Sequence, residues 1–324
     1  MILITGGAGY IGSVVASLLL KKDKDIVIID NLSTGDIETI NRLKKIKDFL
    51  FIEADLANKD EIRGVFKSLK IDSIIHFAAS ISVPESVKDP LKYYKNNTIN
   101  TINLVDLAVK FGVKKFIFSS TAAVYGEGKR VVKESDALNP FNPYGRSKLF
   151  SEWVIKDAFN AYGLKYVILR YFNVAGASDD LEFGQKEAKS LIKMVAKAAV
   201  EHSKVTIFGD DYPTKDGTGV RDYIHVMDLA IAHIKALDYL DQNDFGIFNV
   251  GYNRGYSVKE IIDTMKKVSG VDFEVEVGKR REGDIDMLIA NNEEIINKMK
   301  WLPKYDDINL VCKSAYEWEK KIKK

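Results

Sequence analysis

A tyrosine and a lysine stand four residues apart where a helical segment begins. Tyr144 and Lys148 lie in residues 143–162, whose spacing of apolar and aromatic side chains predicts a helix, so both should project from the same face. A free phenol has a pKa near ~10 and is a poor base at neutral pH, whereas a neighbouring ammonium favours the phenolate. The spacing predicts that Tyr144 transfers a proton and that Lys148 lowers the pKa of its phenol. An ordinary helix face is the alternative, because the same spacing often occurs by chance.

A glycine-rich segment near the N-terminus supplies a second chemical signal. Residues 7–12, Gly-Ala-Gly-Tyr-Ile-Gly, follow an apolar run that predicts a strand, and they open a predicted helix. Glycines there permit a tight turn and let main-chain N–H groups approach a pyrophosphate at the positive end of the helix dipole. The segment predicts a dinucleotide site. The alternative is a glycine turn that only packs a helix against a strand.

An acidic residue, Asp30, ends the second predicted strand at the spacing of about twenty residues that such sites have. A carboxylate at this point can accept hydrogen bonds from both hydroxyls of the adenosine ribose, and it would face a 2′-phosphate with like charge. The sequence therefore predicts NAD rather than NADP. An oxidised nicotinamide is positive and would favour the Tyr144 phenolate further, while Lys148 would also hold the nicotinamide ribose.

Short runs of β-branched residues alternate with longer amphipathic segments and predict the elements that position these groups. The predicted strands are residues 2–5, 26–30, 49–52, 73–77, 115–119 and 166–170, and the predicted helices include 12–20, 90–111 and 143–162. This alternation is typical of βαβ units. We predict an α/β fold, a Rossmann-type doubly wound parallel sheet with a smaller α/β substrate-binding domain.

The strand pattern loosens after about residue 173, where the polar, glycine-rich stretch 208–219 follows. Residues 220–225, 227–240 and 248–251 are again regular. We therefore predict a cofactor domain at 1–172, to which the chain returns at 222–250, and a substrate domain at 173–221 and 251–324.

Composition excludes several classes of function. Lys and Arg number 48 against 46 Asp and Glu, so the net charge of +2 provides no field for nucleic acid. The one cysteine, Cys312, and four scattered histidines predict neither a disulfide nor a metal site. No apolar run approaches the ~18 residues of a membrane span, and a strand directly after Met1 leaves no room for a signal peptide, so we expect a cytoplasmic protein.

Further motifs accompany these segments along nearly the whole chain. They are residues 5–13, 30–32, 75–79, 93–97, 119–126, 170–173, 208–214, 219–226 and 280–284. With them the sequence resembles the extended short-chain dehydrogenase/reductase family, and within it the UDP-hexose 4-epimerases of the UDP-galactose 4-epimerase type, bifunctional UDP-GlcNAc/UDP-glucose enzymes included. The segments at 208–226 and 280–284 are the most specific, because they lie outside the generic cofactor domain.

The resemblance implies a set of site residues. The catalytic set is Tyr144, Lys148 and Thr121. The NAD contacts are Gly6, Gly7, Gly9, Tyr10, Ile11, Gly12, Asp30, Asn31, Asp55, Leu56, Phe77, Ala78, Ala79, Asn96, Ser119, Tyr144, Lys148 and Tyr171. The UDP-sugar contacts are Thr121, Tyr144, Phe172, Asn173, Leu191, Arg221, Tyr223, Arg281, Asp284 and Leu288. Two guanidinium groups suit a pyrophosphate, and a carboxylate suits ribose hydroxyls.

The expected reaction is inversion at C4 through a transient 4-keto sugar. Tyr144 takes the C4 hydroxyl proton while hydride passes to NAD, the keto sugar turns about its diphosphate, and hydride and proton return to the other face. Related dehydratases and decarboxylases have an acidic residue shortly after the residue matching Thr121, where this chain has Ala122-Ala123. A 4,6-dehydratase or another NAD-dependent nucleotide-sugar oxidoreductase remains the alternative enzyme, and an NAD-sensing scaffold the alternative class.

The sequence also departs from the family pattern. Val14 stands where many members have His, Ser82 where a cofactor-contacting Lys is usual, and residues 189–191, Lys-Ser-Leu, replace an Asn-Asn-Leu or His-Leu pattern. Leu288 aligns with a residue that controls substrate size and is often Tyr, so we expect UDP-GlcNAc and UDP-GalNAc to be accepted as well. The resemblance further implies a homodimer formed by helices near residues 97–110 and 143–162.

Overall fold

The structure is a computed structural model that describes residues 1–128, 130–186, 190–281 and 284–323. Lys189 of the divergent loop, and Glu282 and Gly283 of the motif at 280–284, lie outside the described residues. The chain divides into two compact units. The first unit comprises residues 1–126, 137–170 and 230–248, and the second comprises 127–136, 171–229 and 249–324.

The elements are numbered in chain order within the described residues. Strands β1 to β14 are Ile2–Thr5, Ile26–Asp30, Leu50–Glu53, Ser73–His76, Lys115–Thr121, Val131–Val132, Lys165–Tyr171, Asn173–Ala175, Val205–Phe208, Val220–His225, Phe245–Val250, Gly255–Ser257, Val275–Gly278 and Met287–Ala290. Helices α1 to α12 are Tyr10–Lys21, Ile37–Lys44, Lys59–Ser68, Val83–Lys88, Pro90–Tyr93, Asn100–Lys110, Pro143–Tyr162, Leu191–Glu201, Val226–Gln242, Val258–Ser269, Glu293–Met299 and Ile308–Lys323. A π-helical turn, Tyr94–Ile99, joins α5 to α6, and a 3₁₀ turn, Ala122–Val124, follows β5.

The first unit is built on a seven-stranded sheet in the order β11-β7-β5-β4-β1-β2-β3. β1 pairs in parallel with both β2 and β4, so the strand order reverses at this point. The inner strands read as continuous apolar runs because helices cover them, and Leu3, Ile74, Phe116 and Ile168 are fully buried in one core cluster. The predicted Rossmann-type α/β fold is confirmed, and the reversal creates the crevice where ligands bind in such sheets.

One predicted helix is interrupted. Apolar spacing over residues 90–111 predicts a single helix, whereas the structure has α5, the π-helical turn and α6. The wide turn carries Asn97, whose side chain accepts from the Ser80 N–H at 2.8 Å and donates to Ser147 Oγ at 3.0 Å. These are tertiary contacts, which apolar periodicity does not contain, and π-helical turns are frequent at functional sites.

The second unit is assembled from short strands that are far apart in the chain. β10 pairs with β8 and β14 in parallel and with β12 in antiparallel fashion, β14 pairs with β6, and β9 forms a separate pair with β13. A core cluster that includes Val195, Ile261 and Val311 joins α8, α10 and α12. Within the described chain, no helix is both long and apolar enough to cross a membrane.

Candidate active site

The glycine segment forms the turn between β1 and α1. Gly6 has a φ of +73°, and a Cβ there would lie 2.7 Å from the Ala78 nitrogen. A Cβ on Gly12 would lie 2.3 Å from the Gly6 oxygen, so both positions require glycine for the turn itself. Gly9 differs, because its backbone is extended and its Cβ would meet only the Gly6 oxygen, at 3.3 Å. Packing therefore restricts position 9 less than positions 6 and 12, although the 3.3 Å contact is tight, and the remaining space around this Cβ suits a pyrophosphate.

The start of α1 fits an anion. Gly9 occupies the N-cap position and has no side chain with which to cap the helix. The first N–H groups of a helix lack partners within it, and the positive end of the dipole lies there. With the open space above Gly9, these donors satisfy the requirements of a dinucleotide pyrophosphate. Tyr10 and Ile11, both predicted contacts, begin this helix.

Asp30 closes the same turn from the end of β2. Its carboxylate accepts the N–H of Ala8 and of Leu32, each at 2.9 Å. Burial raises the pKa of the Asp30 carboxyl, and the two N–H groups oppose that rise. The carboxylate thus holds the glycine turn against β2, and carboxylate oxygens have lone pairs left for ribose hydroxyls.

The predicted adenine-side residues lie at the ends of neighbouring strands. Asn31 Nδ2 donates to Asp55 Oδ2 at 2.8 Å, which joins the turns after β2 and β3. Leu56 is buried in the first unit's core, and Ala78 follows β4 beside Gly6. Asn96 lies in the π-helical turn, where its Nδ2 donates to Ser80 Oγ at 3.0 Å. The Phe77 ring packs against the buried His233 ring, with the centroids 4.7 Å apart and the planes tilted by 43°, and Ala79 lies two residues further along the chain.

The proposed proton-transfer pair is assembled by the N-terminus of α7. The Asn142 side chain caps this helix by accepting the Gly145 N–H at 2.8 Å, and a Cβ on Gly145 would lie 2.6 Å from the Ala123 oxygen. The helix therefore approaches the 3₁₀ turn closely, and the Thr121 hydroxyl lies near enough to the Tyr144 phenol to lower its pKa. Because Thr121 Oγ1 accepts the Ala123 N–H at 3.2 Å, its own proton is available to the Tyr144 oxygen.

The pKa of Tyr144 differs from the prediction. Burial raises the pKa of the phenol, and the neighbouring Thr121 hydroxyl, not the Lys148 ammonium, opposes that rise in the protein alone. Lys148 is itself buried and donates to the Ser119 carbonyl oxygen at 2.8 Å. Burial lowers the pKa of Lys148 to about 7. Desolvation is therefore the largest influence on the pKa of the phenol in the protein alone.

Arg221 and Leu288 are brought together in the second unit. They are partners in the parallel pairing of β10 with β14. The Arg221 guanidinium donates to the carbonyl oxygens of Val220 at 2.9 Å and Ile285 at 2.8 Å, which fixes its orientation. Leu288 is 8% exposed.

Arg281 and Asp284 lie in the segment before β14. The Arg281 guanidinium stacks over the Phe208 ring at 3.8 Å, and the Asp284 N–H donates to the Arg281 oxygen at 3.3 Å. The neighbouring Arg280 stacks over Tyr212 at 3.8 Å. The segment therefore carries two consecutive guanidinium groups, each held against an aromatic ring from residues 208–212.

The remaining predicted substrate residues are spread over the second unit. Asn173 is exposed and pairs with Tyr223 between β8 and β10, while Tyr223 is buried in the core cluster beneath α8 and α12. Leu191 begins α8 and packs against the same cluster. Phe172 is buried, and Tyr171, which was predicted to contact NAD, is the last residue of β7 and is partly buried. Burial raises the pKa of Tyr223 well above the value of a free phenol.

The sequence did not single out the polar groups behind Thr121. Ser120, Glu152 and Arg170 are buried and joined by hydrogen bonds. Their signals were present, since Ser120 is part of the 119–126 motif and Glu152 follows Lys148 by four residues in the predicted helix. In the described part of the chain, no three or more His, Cys, Asp or Glu side chains are grouped to hold a metal ion.

Comparison with known proteins agrees with this geometry. Residues 2–251 match the family model "NAD dependent epimerase/dehydratase family". The UDP-glucose 4-epimerase of Lacticaseibacillus casei is 46% identical over 322 residues, which cover 98% of this chain and 96% of that protein. Among solved structures, the UDP-Glc/GlcNAc 4-epimerase of Campylobacter jejuni is 54% identical with a TM-score of 0.88, and each chain is covered to 99%.

A second solved structure includes ligands. The UDP-glucose-4-epimerase of Stenotrophomonas maltophila, with bound NAD and formylated UDP-arabinopyranose, has a TM-score of 0.95 and is 35% identical, covering 99% of this chain and 98% of that one. The similarity extends over both units and includes the turn at residues 6–12 and the segment that contains Tyr144. The chain is a member of the NAD dependent epimerase/dehydratase family.

Proposed function

We propose that this protein is an NAD-dependent UDP-hexose 4-epimerase that interconverts UDP-glucose with UDP-galactose and UDP-GlcNAc with UDP-GalNAc. The observation that carries the proposal is the close approach of the start of α7 to the 3₁₀ turn after Thr121, which brings the Thr121 hydroxyl beside the Tyr144 phenol in a unit whose glycine turn fits NAD. Ala122 and Ala123 follow directly, so the site has one proton-transfer group at this point and lacks the extra carboxylate that elimination needs. Relatives named as UDP-glucose 4-epimerases support the same reaction.

The chain's own residues would handle the proton. NAD, when bound, accepts hydride from C4 of the sugar and returns it to the other face. Tyr144 would take the proton of the C4 hydroxyl and later give it back, while Thr121 donates to the phenol oxygen and lowers the energy of the phenolate. Lys148 would donate to the nicotinamide ribose from its position on the Ser119 oxygen. A buried phenol needs these donors, because desolvation alone would keep it protonated.

The second unit would bind the UDP portion. Arg221 and Arg281 present guanidinium groups that suit a pyrophosphate, and Asp284 and Asn173 suit the uridine ribose. Binding energy from this remote part of the substrate would retain the keto sugar between the two hydride transfers. Phe172, Leu191 and Tyr223 complete the proposed contacts.

The size of the residue at position 288 would set the sugar specificity. Leu288 has no hydroxyl and is shorter than the Tyr often found there in the family, so its side chain leaves room for a 2-acetamido group. The Campylobacter jejuni protein, named as a UDP-Glc/GlcNAc 4-epimerase, supports this part of the proposal through its 54% identity.

Separate incubations of the purified, NAD-loaded protein with UDP-glucose and with UDP-GlcNAc test the function, with chromatographic resolution of the C4 epimers. We expect both substrates to reach an equilibrium mixture with no net NADH. A product that has lost water would establish a dehydratase instead. A net change in NADH would establish an oxidoreductase, and NAD binding without any product would favour a sensing role.

We also propose a homodimer. Apolar side chains are exposed on the π-helical turn, α6 and α7: Ile99 is 49%, Ile102 42%, Phe150 38% and Trp153 49% exposed. A patch of this kind on neighbouring helices is typical of a protein interface. Sedimentation should give twice the chain mass, and Trp153→Glu should give the monomer. A parent protein that sediments as a monomer contradicts this proposal.

A cytoplasmic location is part of the same proposal, because NAD and UDP-sugars are the proposed ligands and Cys312 is a buried free thiol that needs no oxidising compartment. Cell fractionation followed by activity measurement tests it. Activity confined to a secreted or membrane fraction would contradict it.

A further inference from the structure

A buried ion pair lies behind the Thr121–Tyr144 contact. Glu152 on α7 is 0% exposed and Arg170 on β7 is 1% exposed. Arg170 Nε donates to Glu152 Oε1 at 3.0 Å, and Nη2 donates to Oε2 at 2.6 Å. Removing two charges from water carries a large desolvation cost, and replacement by apolar side chains is often neutral or stabilising. Stability alone is therefore a weak explanation for this pair.

The ion pair holds the chain on both sides of Thr121. Ser120 Oγ donates to Glu152 Oε1 at 2.5 Å, immediately before Thr121. Arg170 Nη1 donates to the Tyr125 hydroxyl at 3.1 Å, immediately after the 3₁₀ turn that follows Thr121. The guanidinium also lies over the Tyr125 ring, 5.1 Å from its centroid. The end of β5 and the turn that follows it are thus tied to one pair of charges.

The same helix carries the other half of the contact. Tyr144, Lys148 and Glu152 are spaced by four residues on α7, so they lie along one face of the helix. Tyr144 contacts Thr121. Glu152 contacts Ser120, which is the residue immediately before Thr121. These contacts close a ring that runs through α7 and the end of β5. Loss of the Glu152 contact would release the Thr121 hydroxyl from its place beside the phenol.

We propose that Glu152, paired with Arg170, is a positioning residue for the epimerase reaction: it holds Thr121 against Tyr144 through Ser120, and its negative charge faces Lys148 along the same helix. The proposal rests on the function proposed above. In this role Glu152 would act on the reaction through Ser120, Thr121 and Lys148, and not by contact with the sugar.

The titratable groups that face Lys148 support the second part of the proposal, in which the negative charge of Glu152 acts on Lys148. On α7 the facing groups are Tyr144 and Glu152. From β4 the facing group is His76, whose ring nitrogens bond Thr5 and Thr101 and whose pKa is lowered to about 3, first by burial and then by Lys148.

His76 is therefore neutral near neutral pH and does not repel the ammonium. Burial lowers the pKa of Lys148 to about 7, and the negative charge of Glu152 raises it. Without that charge, Lys148 would lose its proton at a lower pH. Because a protonated Lys148 is needed in the reaction, activity would then fall at a lower pH on the alkaline side of the profile.

Two variants test the proposal in the NAD-loaded enzyme with UDP-glucose as substrate. Ser120→Ala removes the link to Thr121, and Glu152→Gln removes the charge. We expect kcat to fall by about tenfold to a hundredfold in each, as misplaced catalytic groups cause, with KM within about twofold of the parent value. Only Glu152→Gln should move the alkaline limb of the kcat–pH profile to lower pH.

Glu319→Gln is the matched control. Glu319 on α12 is 3% exposed and forms a buried ion pair with Lys193 on α8, in the second unit. Removing the Glu319 charge also leaves the buried Lys193 without its partner. We therefore expect this variant to have a lower Tm than the parent protein and to keep the parent kcat and pH profile. If Glu319→Gln and Glu152→Gln lower kcat equally at equal loss of Tm, the effect is general destabilisation and the positioning role is wrong.

Two further measurements keep the proposal testable if Ser120→Ala or Glu152→Gln fails to fold. Glu152→Gln combined with Arg170→Met leaves no unpaired charge at this site, and it should show the same fall in kcat and the same pH shift. A crystal structure of Ser120→Ala should show the Thr121 and Tyr144 oxygens farther apart than a crystal structure of the parent protein does. Parent kcat and an unmoved Thr121 in these variants would overturn the positioning role alone, whereas a parent enzyme that forms no C4 epimer would overturn the proposed function.

Discussion

The two units assemble their candidate site residues in different ways. In the first unit, Asp30, Phe77 and Thr121 end or follow strands of one sheet, so the parallel fold collects them at one edge. In the second unit, Arg221 and Leu288 are 67 positions apart and meet only because β10 pairs with β14. The first arrangement follows from local motifs and a known topology. The second depends on pairings between short strands that carry little signal of their own.

This difference between the two units separates the residues proposed for the chemical step from the residues proposed for sugar specificity. The first unit holds the groups proposed for NAD binding and proton transfer, and several of its polar contacts, such as that of Lys148 with the Ser119 oxygen, are buried. The second unit holds the groups proposed for UDP and for sugar size. Changes in the first unit should therefore alter kcat or NAD affinity, whereas changes in the second should alter which sugar is used.

The largest expected effect is that of Tyr144→Phe. Removing the phenol hydroxyl removes the proton-transfer group, so we expect kcat to fall by about a hundredfold to ten-thousandfold. Affinity for the UDP-sugar, measured by calorimetry, should change little. Tyr162→Phe, at the other end of α7 where the tyrosine is 70% exposed, is the control and should keep parent activity. Near-parent turnover of Tyr144→Phe would refute the proposed mechanism.

Two glycines of the same turn should give contrasting results. Gly9→Ala places a Cβ whose one near neighbour is the Gly6 oxygen, at 3.3 Å, so we expect NAD affinity to fall about tenfold to a hundredfold with a smaller loss of Tm than Gly12→Ala shows. Gly12→Ala places a Cβ 2.3 Å from the Gly6 oxygen, so the main chain must move and stability should fall by about 1–3 kcal/mol. Thermal unfolding without added NAD, together with NAD titration, separates the two. Unchanged NAD binding in Gly9→Ala would count against the proposed pyrophosphate site.

Leu288→Tyr should change specificity in the second unit. The larger ring would occupy the space proposed for the 2-acetamido group, so kcat/KM for UDP-GlcNAc should fall by about tenfold to two-hundredfold relative to UDP-glucose. Leu302→Tyr, at a position 67% exposed in the same unit, serves as the control. Equal losses on both sugars would mean that residue 288 does not read the 2-substituent.

The smallest effects concern the helix caps. Asn142→Ala removes the side chain that caps α7, so we expect a loss of about 1 kcal/mol in the free energy of unfolding, with a modest fall in kcat because Tyr144 lies in the first turn. Ser190 precedes α8 but donates to Gln185 and does not cap the helix with its side chain. Ser190→Ala should therefore change unfolding by less than about 0.5 kcal/mol. Urea unfolding of both variants tests the difference.

Much of the first unit could be predicted from the residues alone. The glycine turn, Asp30 and the pairing of Tyr144 with Lys148 on one helix each depend on spacing within a short segment, where backbone geometry and helical period act directly. Residues 2–5, 26–30 and 143–162 were predicted with the boundaries that β1, β2 and α7 have. The extended strand end at Thr121 and the π-helical turn were not, because contacts between segments decide them.

The sequence by itself determined the fold class and the glycine turn, and it proposed the proton-transfer pair, since these depend on local periodicity and on residue type. Only the tertiary structure decided that burial raises the pKa of Tyr144, that Thr121 opposes this rise, and that Lys148 donates to the Ser119 carbonyl. It also decided that Glu152 and Arg170 meet behind the site. The physical reason is that desolvation and charge pairing depend on distances between residues far apart in the chain, and spacing along a sequence does not contain those distances.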